Sequence, residues 1–102
     1  MATSYTIVLM KGFGEDLGTR ALGGQVRKHI VDVLRSSPAM VLLDFAGVRV
    51  MTQSFGDEAF RKLVSEVGQA ELSARLRVRN LSSDVLAVLR YATSSKAEPT
   101  AS

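Results

Sequence analysis

Residues 40–60, MVLLDFAGVRVMTQSFGDEAF, constrain the fold more than any other stretch, because a buried strand, a loop and the start of an amphipathic helix follow one another there. Met40, Val41, Leu42 and Leu43 are four consecutive apolar residues, a run too short for a helix and typical of a strand covered on both faces. Asp44 ends it. Phe45, Val48, Val50 and Met51 keep an apolar side through the connection and Gly47 allows it to bend, so this loop is expected to lie against the protein. Ser54 is expected to cap the next helix by accepting a backbone N–H bond, with Asp57 as the reciprocal carboxylate. One serine thereby sits at a strand's C-terminal end and at a helix N-terminus.

The flanking segments repeat the alternation of strand and helix. In residues 5–11, Tyr5, Ile7 and Leu9 fall on one face and Thr6, Val8 and Met10 on the other, which makes a first strand. Residues 12–24 hold five of the eight glycines and are expected to form a mobile loop or a weakly started helix. From Gln25 the stripe Val26, Ile30, Val33 and Leu34 predicts a helix, which Leu22 would extend backwards and Pro38 stops. The second helix is expected over residues 54–67, with Phe55, Ala59, Phe60, Leu63, Val64 and Val67 inward and Gly68 at its end. Glu58 and Lys62 form an i,i+4 pair on its wet face. Residues 74–79 alternate strictly, Ala74, Leu76 and Val78 against Arg75, Arg77 and Arg79, and predict a half-exposed strand. Ser82 or Ser83 then caps a third helix packed through Val85, Leu86, Val88, Leu89 and Ala92. The polar residues 93–102 carry no apolar periodicity and are expected to be a disordered tail, leaving residues 1–92 as one domain.

A β-α-β-α-β-α order requires strands joined through helices to run parallel, so the fold class is a small α/β layer fold with a mainly parallel sheet. In such sheets function collects at the strands' C-terminal ends, where Ser54 falls. Composition narrows the function. The chain has no cysteine and one histidine, so thiolate metal sites are excluded and no metal or other cofactor is expected. The first apolar run, Ile7 to Met10, is too short to span a membrane, and a cytoplasmic setting is expected. A net charge of +3 falls short of a nucleic-acid binder's concentrated field. The glycine-rich segment after Gly12 lacks the lysine of a phosphate loop and contains Glu15 and Asp16, so it is not read as one. His29 flanks the apolar stripe and reads as a packed or half-exposed histidine with no catalytic role. Asp44 reads as a loop-closing acceptor, since no base or nucleophile accompanies it.

Asp44, Phe45, Gly47, Val48, Met51, Ser54 and Phe55, with RVRNLSSDVLAVL at 77–89, carry a resemblance to the STAS family of anti-sigma-factor-antagonist-like domains, and more closely to a STAS-like branch of uncharacterised bacterial proteins. The resemblance implies a non-enzymatic regulatory module that a protein partner, often an ATPase or serine kinase with a histidine-kinase-like ATP-binding fold, docks at this loop and phosphorylates on a serine. By position that serine is Ser54, and the partner-binding residues are Asp44, Arg49, Thr52, Gln53, Ser54, Phe55 and Asp57. Thr52 and Phe55 stand where the family pattern has an acidic residue and a glycine. The alternative from another class is a nucleic-acid-binding domain using the Arg75, Arg77 and Arg79 strand face. Homo-oligomerisation stays open, because three helices need not cover both faces of the sheet.

Overall fold

The computed structural model describes residues 5–94. β1 (Tyr5–Leu9) leads through a 3-10 turn (Met10–Phe13) and the short β2 (Asp16–Leu17) into α1 (Arg20–Ser36). β3 (Met40–Asp44) and β4 (Val50–Met51) follow. A continuous helical stretch comes next, made of α2 (Gln53–Gly56), a π turn (Asp57–Arg61) and α3 (Lys62–Val67). α4 (Gln69–Arg75), β5 (Leu76–Arg79) and α5 (Ser83–Thr93) complete the chain. β3 lies between β1 and β5 and pairs with both in parallel, with Ile7 beside Leu42 and Leu42 beside Arg77. β2 and β4 form a separate parallel ladder of two residues each. The expected α/β fold with a parallel sheet is therefore what forms, and residues 40–44 are its central strand.

Burial corrects one expectation about that strand. Val41 and Leu43, with Val8 on β1, are buried, whereas Met40 and Leu42 are only half-buried and Tyr5, Ile7 and Leu9 are 48%, 48% and 63% exposed. The sheet is covered on one face, not two. Strands that progress in a single direction, β1 to β3 to β5, with crossovers of one hand, place both helical connections on the same side. The open face carries Tyr5, Ile7 and Leu9 on one edge, Met40 and Leu42 in the middle, and Arg77 and Arg79 on the other edge.

The core fills the space between the covered face and the helices. Phe45, Phe55 and Phe60 are its largest fully buried side chains, each ring stabilising the fold by roughly 1.5–3 kcal/mol relative to exposure. Phe55 and Phe60 meet edge to face at 6.2 Å. They are five residues apart, and the π turn brings residues at that spacing over one another where a regular α-helix would splay them. α1 crosses this helix closely at Gly23, where an added Cβ would lie 3.0 Å from the Phe55 carbonyl and 3.0 Å from the Glu58 Cβ.

Four boundaries differ from the sequence expectations. β1 ends at Leu9, because Met10 turns into the 3-10 segment and buries itself completely. The glycine-rich segment 12–24 is ordered by β2 and by Thr19, whose hydroxyl accepts the Leu22 N–H at 3.1 Å and starts α1 at Arg20. α4 occupies residues expected to begin a strand, so Arg75 closes a helix and the strand starts at Leu76. At the C-terminal side, Ser82 caps α5 by accepting the Val85 N–H at 3.2 Å, and α5 reaches Thr93, one residue into the predicted tail. The remainder of that tail, from residue 95, and residues 1–4 lie outside the described residues.

Candidate functional site

The loop between β3 and α2 is held closed by Asp44. Its side chain is 9% exposed; Oδ1 accepts the Ala46 N–H and the Asn80 side-chain amide, both at 2.9 Å, and Oδ2 pairs with Arg79 at 3.1 Å. The Asn80 amide first, then the Ala46 N–H and the Arg79 guanidinium, hold its carboxyl below the usual carboxylate value against the opposing effect of burial. Asn80 reaches it from a left-handed backbone conformation, φ 60°, which asparagine tolerates better than most residues. Asp44 is thus an internal brace between β3 and the end of β5.

Beyond Asp44 the chain turns through Gly47, at φ 84°, against the Lys11 side chain, and is then fixed to the segment before α1. Arg49 N–H donates to the Glu15 carbonyl at 2.8 Å and Thr52 N–H to the Leu17 carbonyl at 3.0 Å. The Arg49 side chain, 67% exposed, pairs with Asp16 at 3.2 Å and Glu15 at 3.6 Å.

The helix cap is Thr52, not Ser54. The Thr52 hydroxyl accepts the Phe55 N–H at 3.2 Å and donates to the Gly18 carbonyl at 3.1 Å, so one side chain both starts the helix and ties it to the loop before α1. The helix begins at Gln53, which puts Ser54 at its second position. Ser54 is exposed, and among the described residues its hydroxyl makes no side-chain hydrogen bond. Phe55, the next residue, is fully buried against Phe60 and does not stand at the surface beside that hydroxyl. Asp57 is half-exposed and paired with Arg61 at 2.9 Å instead of capping the helix.

Of the seven residues expected at a partner surface, Arg49, Gln53 and Ser54 are exposed together, Thr52 and Asp57 are half-exposed, and Asp44 and Phe55 are internal. One charged cluster went unread in the sequence beyond its Glu58–Lys62 pair. Glu58, 16% exposed, meets Lys62 at 3.0 Å, Arg27 at 3.3 Å and Arg20 at 3.6 Å, and Arg27 also donates to the Glu58 carbonyl. The Lys62 ammonium foremost, helped by Arg27, keeps this carboxyl below its ordinary value against desolvation. Only the i,i+4 spacing was visible locally; Arg27 arrives from a helix 31 residues earlier.

The three arginines at 75, 77 and 79 do not form a row. Arg75 is 18% exposed at the end of α4 and donates to the carbonyls of Leu34, Ser37 and Ala39, which closes the C-terminal end of α1. Arg79 is paired with Asp44. Only Arg77 remains exposed without an acidic partner among the described residues, bonded to the Ser73 and Leu76 carbonyls at 2.8 and 3.0 Å. His29 is exposed and meets Phe13 edge to face at 5.7 Å. No helix among the described residues is long and apolar enough to cross a membrane, and no group of three or more His, Cys, Asp or Glu residues there could hold a metal ion.

A parallel sheet with its helices on one side and a capped helix start at the C-terminal end of the central strand defines a small α/β domain with an exposed loop-helix surface. The chain belongs to the family described as the STAS-like domain of unknown function (DUF4325), whose model matches residues 23–86. No curated protein and no solved structure matches the chain.

Proposed function

We propose that this domain is a non-enzymatic regulatory module of the bacterial cytoplasm that docks a protein partner through Arg49, Gln53 and Ser54, with Thr52 and Asp57 at the rim. The observation that carries this reading is the separation of two tasks at the helix start: Thr52 caps it, and Ser54 is presented to solvent without a structural task. The partner's class, an ATPase or serine kinase with a histidine-kinase-like fold, rests on the STAS-like kinship.

The same geometry suits phosphorylation of Ser54. A phosphate there adds about −1.5 to −2 charges near a positively polarised helix terminus, turning a neutral docking patch anionic. Asp57 and Glu58 oppose this charge less than their number suggests, because Arg61 neutralises one and Lys62, Arg27 and Arg20 surround the other. The test is calorimetry against an ATP-binding partner that co-purifies with the chain or is encoded beside it. Ser54→Glu and Arg49→Glu should each weaken binding at least tenfold while circular dichroism and Tm stay near wild type. Unchanged affinity for both variants sinks the docking site. A mass increase of one phosphate on incubation with partner and ATP, absent from Ser54→Ala, tests the modification separately.

A further inference from the structure

A cavity of about 360 Å³ opens beside the edge strand β5, between α3, α4 and α5. Its apolar wall includes Phe60, Leu63, Leu72, Val78 and Leu89, and Val78, though it faces the helices, is 38% exposed. Its polar fringe consists of Gln69, Ser73, Thr93 and Arg77, with no acidic residue. The volume is within the usual range of small-molecule sites, which combine apolar walls with a few converging polar groups.

Arg77 decides which occupant. Its side chain leaves β5 on the open face but turns back over the strand edge to α4, where Nη1 donates to the carbonyls of Ser73 and Leu76, both lining residues of the cavity, and no acid among the described residues pairs with it. A guanidinium has five N–H donors in a planar fork suited to a carboxylate, so donors remain for a ligand. We propose that this cavity binds an aliphatic carboxylate of the medium-chain fatty-acid type, its chain against Leu72, Val78 and Leu89 and its carboxylate on Arg77. The site is separate from the Ser54 surface and does not depend on the docking function proposed for it.

The probes are decanoate, decanol and decylamine, each titrated below its micelle-forming concentration into the full chain and followed by methyl NMR and thermal shift. Decanoate should shift the Leu72, Val78 and Leu89 methyl resonances saturably and raise Tm, with decylamine at least tenfold weaker. Arg77→Gln should weaken decanoate about tenfold and leave decanol unchanged, and Ser73→Trp, at the exposed mouth, should abolish binding of both. If Ser73→Trp does not fold, the decanoate-to-decanol split in Arg77→Gln decides. Absence of saturable binding, or equal affinity for decanoate and decylamine, overturns the proposal. So does sedimentation showing a dimer that decanoate dissociates, because a second copy would then be the occupant.

Discussion

Replacing Thr52 and Ser54 separately by alanine asks which hydroxyl holds the helix start. Thr52→Ala removes a cap bond to the Phe55 N–H and a bond to the Gly18 carbonyl. The first is worth about 1 kcal/mol, and the second, at a site water can reach, about half that, for roughly 1.5 kcal/mol in all. In a domain of this size the loss corresponds to a fall in Tm of roughly 6–12 °C. Ser54→Ala removes an exposed hydroxyl with no intramolecular bond, so its effect should stay within about 0.5 kcal/mol. Thr52→Ser keeps the oxygen and should recover most of the loss, whereas Ser54→Thr should change little. Urea unfolding monitored by circular dichroism, with a common m-value, gives the four differences. If Ser54→Ala costs as much as Thr52→Ala, or Thr52→Ala costs nothing, the assignment of the cap is wrong, and Ser54 can no longer be a surface residue free to be modified.

Further outcomes follow from other contacts. Arg75→Ala should destabilise by about 3 kcal/mol, since three carbonyls at the end of α1 lose a charged donor, and Arg75→Lys should not rescue it because an ammonium lacks the planar fork; denaturant melts check both. Two adjacent glycines should respond with opposite sign in the same assay. Gly23→Ala should cost about 1 kcal/mol after its gain in helix propensity, since its Cβ meets backbone at 3.0 Å, whereas Gly24→Ala, with nothing nearer than 3.8 Å, should stabilise by about 0.5–1 kcal/mol. Asp44 and Glu58 are both held below their ordinary carboxyl values, so the stability they lend is complete above that range and is lost as pH falls through their depressed values. Asp44→Asn should flatten the acid limb of a stability-against-pH curve, and an unchanged limb refutes the brace.

The sequence made the strands and inward helix faces legible because each is a local period, and period survives whatever packs against it. What it hid were choices made by residues far along the chain. Thr52 and Ser54 are both hydroxyl residues two positions apart at the same helix start, and the bond that settles the cap partnership comes from Gly18, 34 residues earlier. Residues 74–79 alternate as a strand does, yet Arg75 belongs to a helix whose end it fixes on Leu34, Ser37 and Ala39 from an element 36 to 41 residues away. The arginine row dissolved for that reason: one member is a cap, one a counter-ion and one an exposed donor to the Ser73 and Leu76 carbonyls. The open face of the sheet was hidden differently. Both sides of residues 5–10 are mostly apolar, so alternation shows two faces without saying which the helices take, and only the register of β1 on β3 with both crossovers on one side decides it. All-parallel sheets are almost always covered on both faces, so Tyr5, Ile7 and Leu9 at 48%, 48% and 63% exposure are the part of this domain that its own chain leaves incomplete among the described residues. Ile7→Lys tests how much that face matters: on an open face it should cost less than about 1 kcal/mol and raise solubility, whereas a loss of several kcal/mol, with a shift to smaller sedimentation coefficient, means the face is buried in an assembly of the free protein.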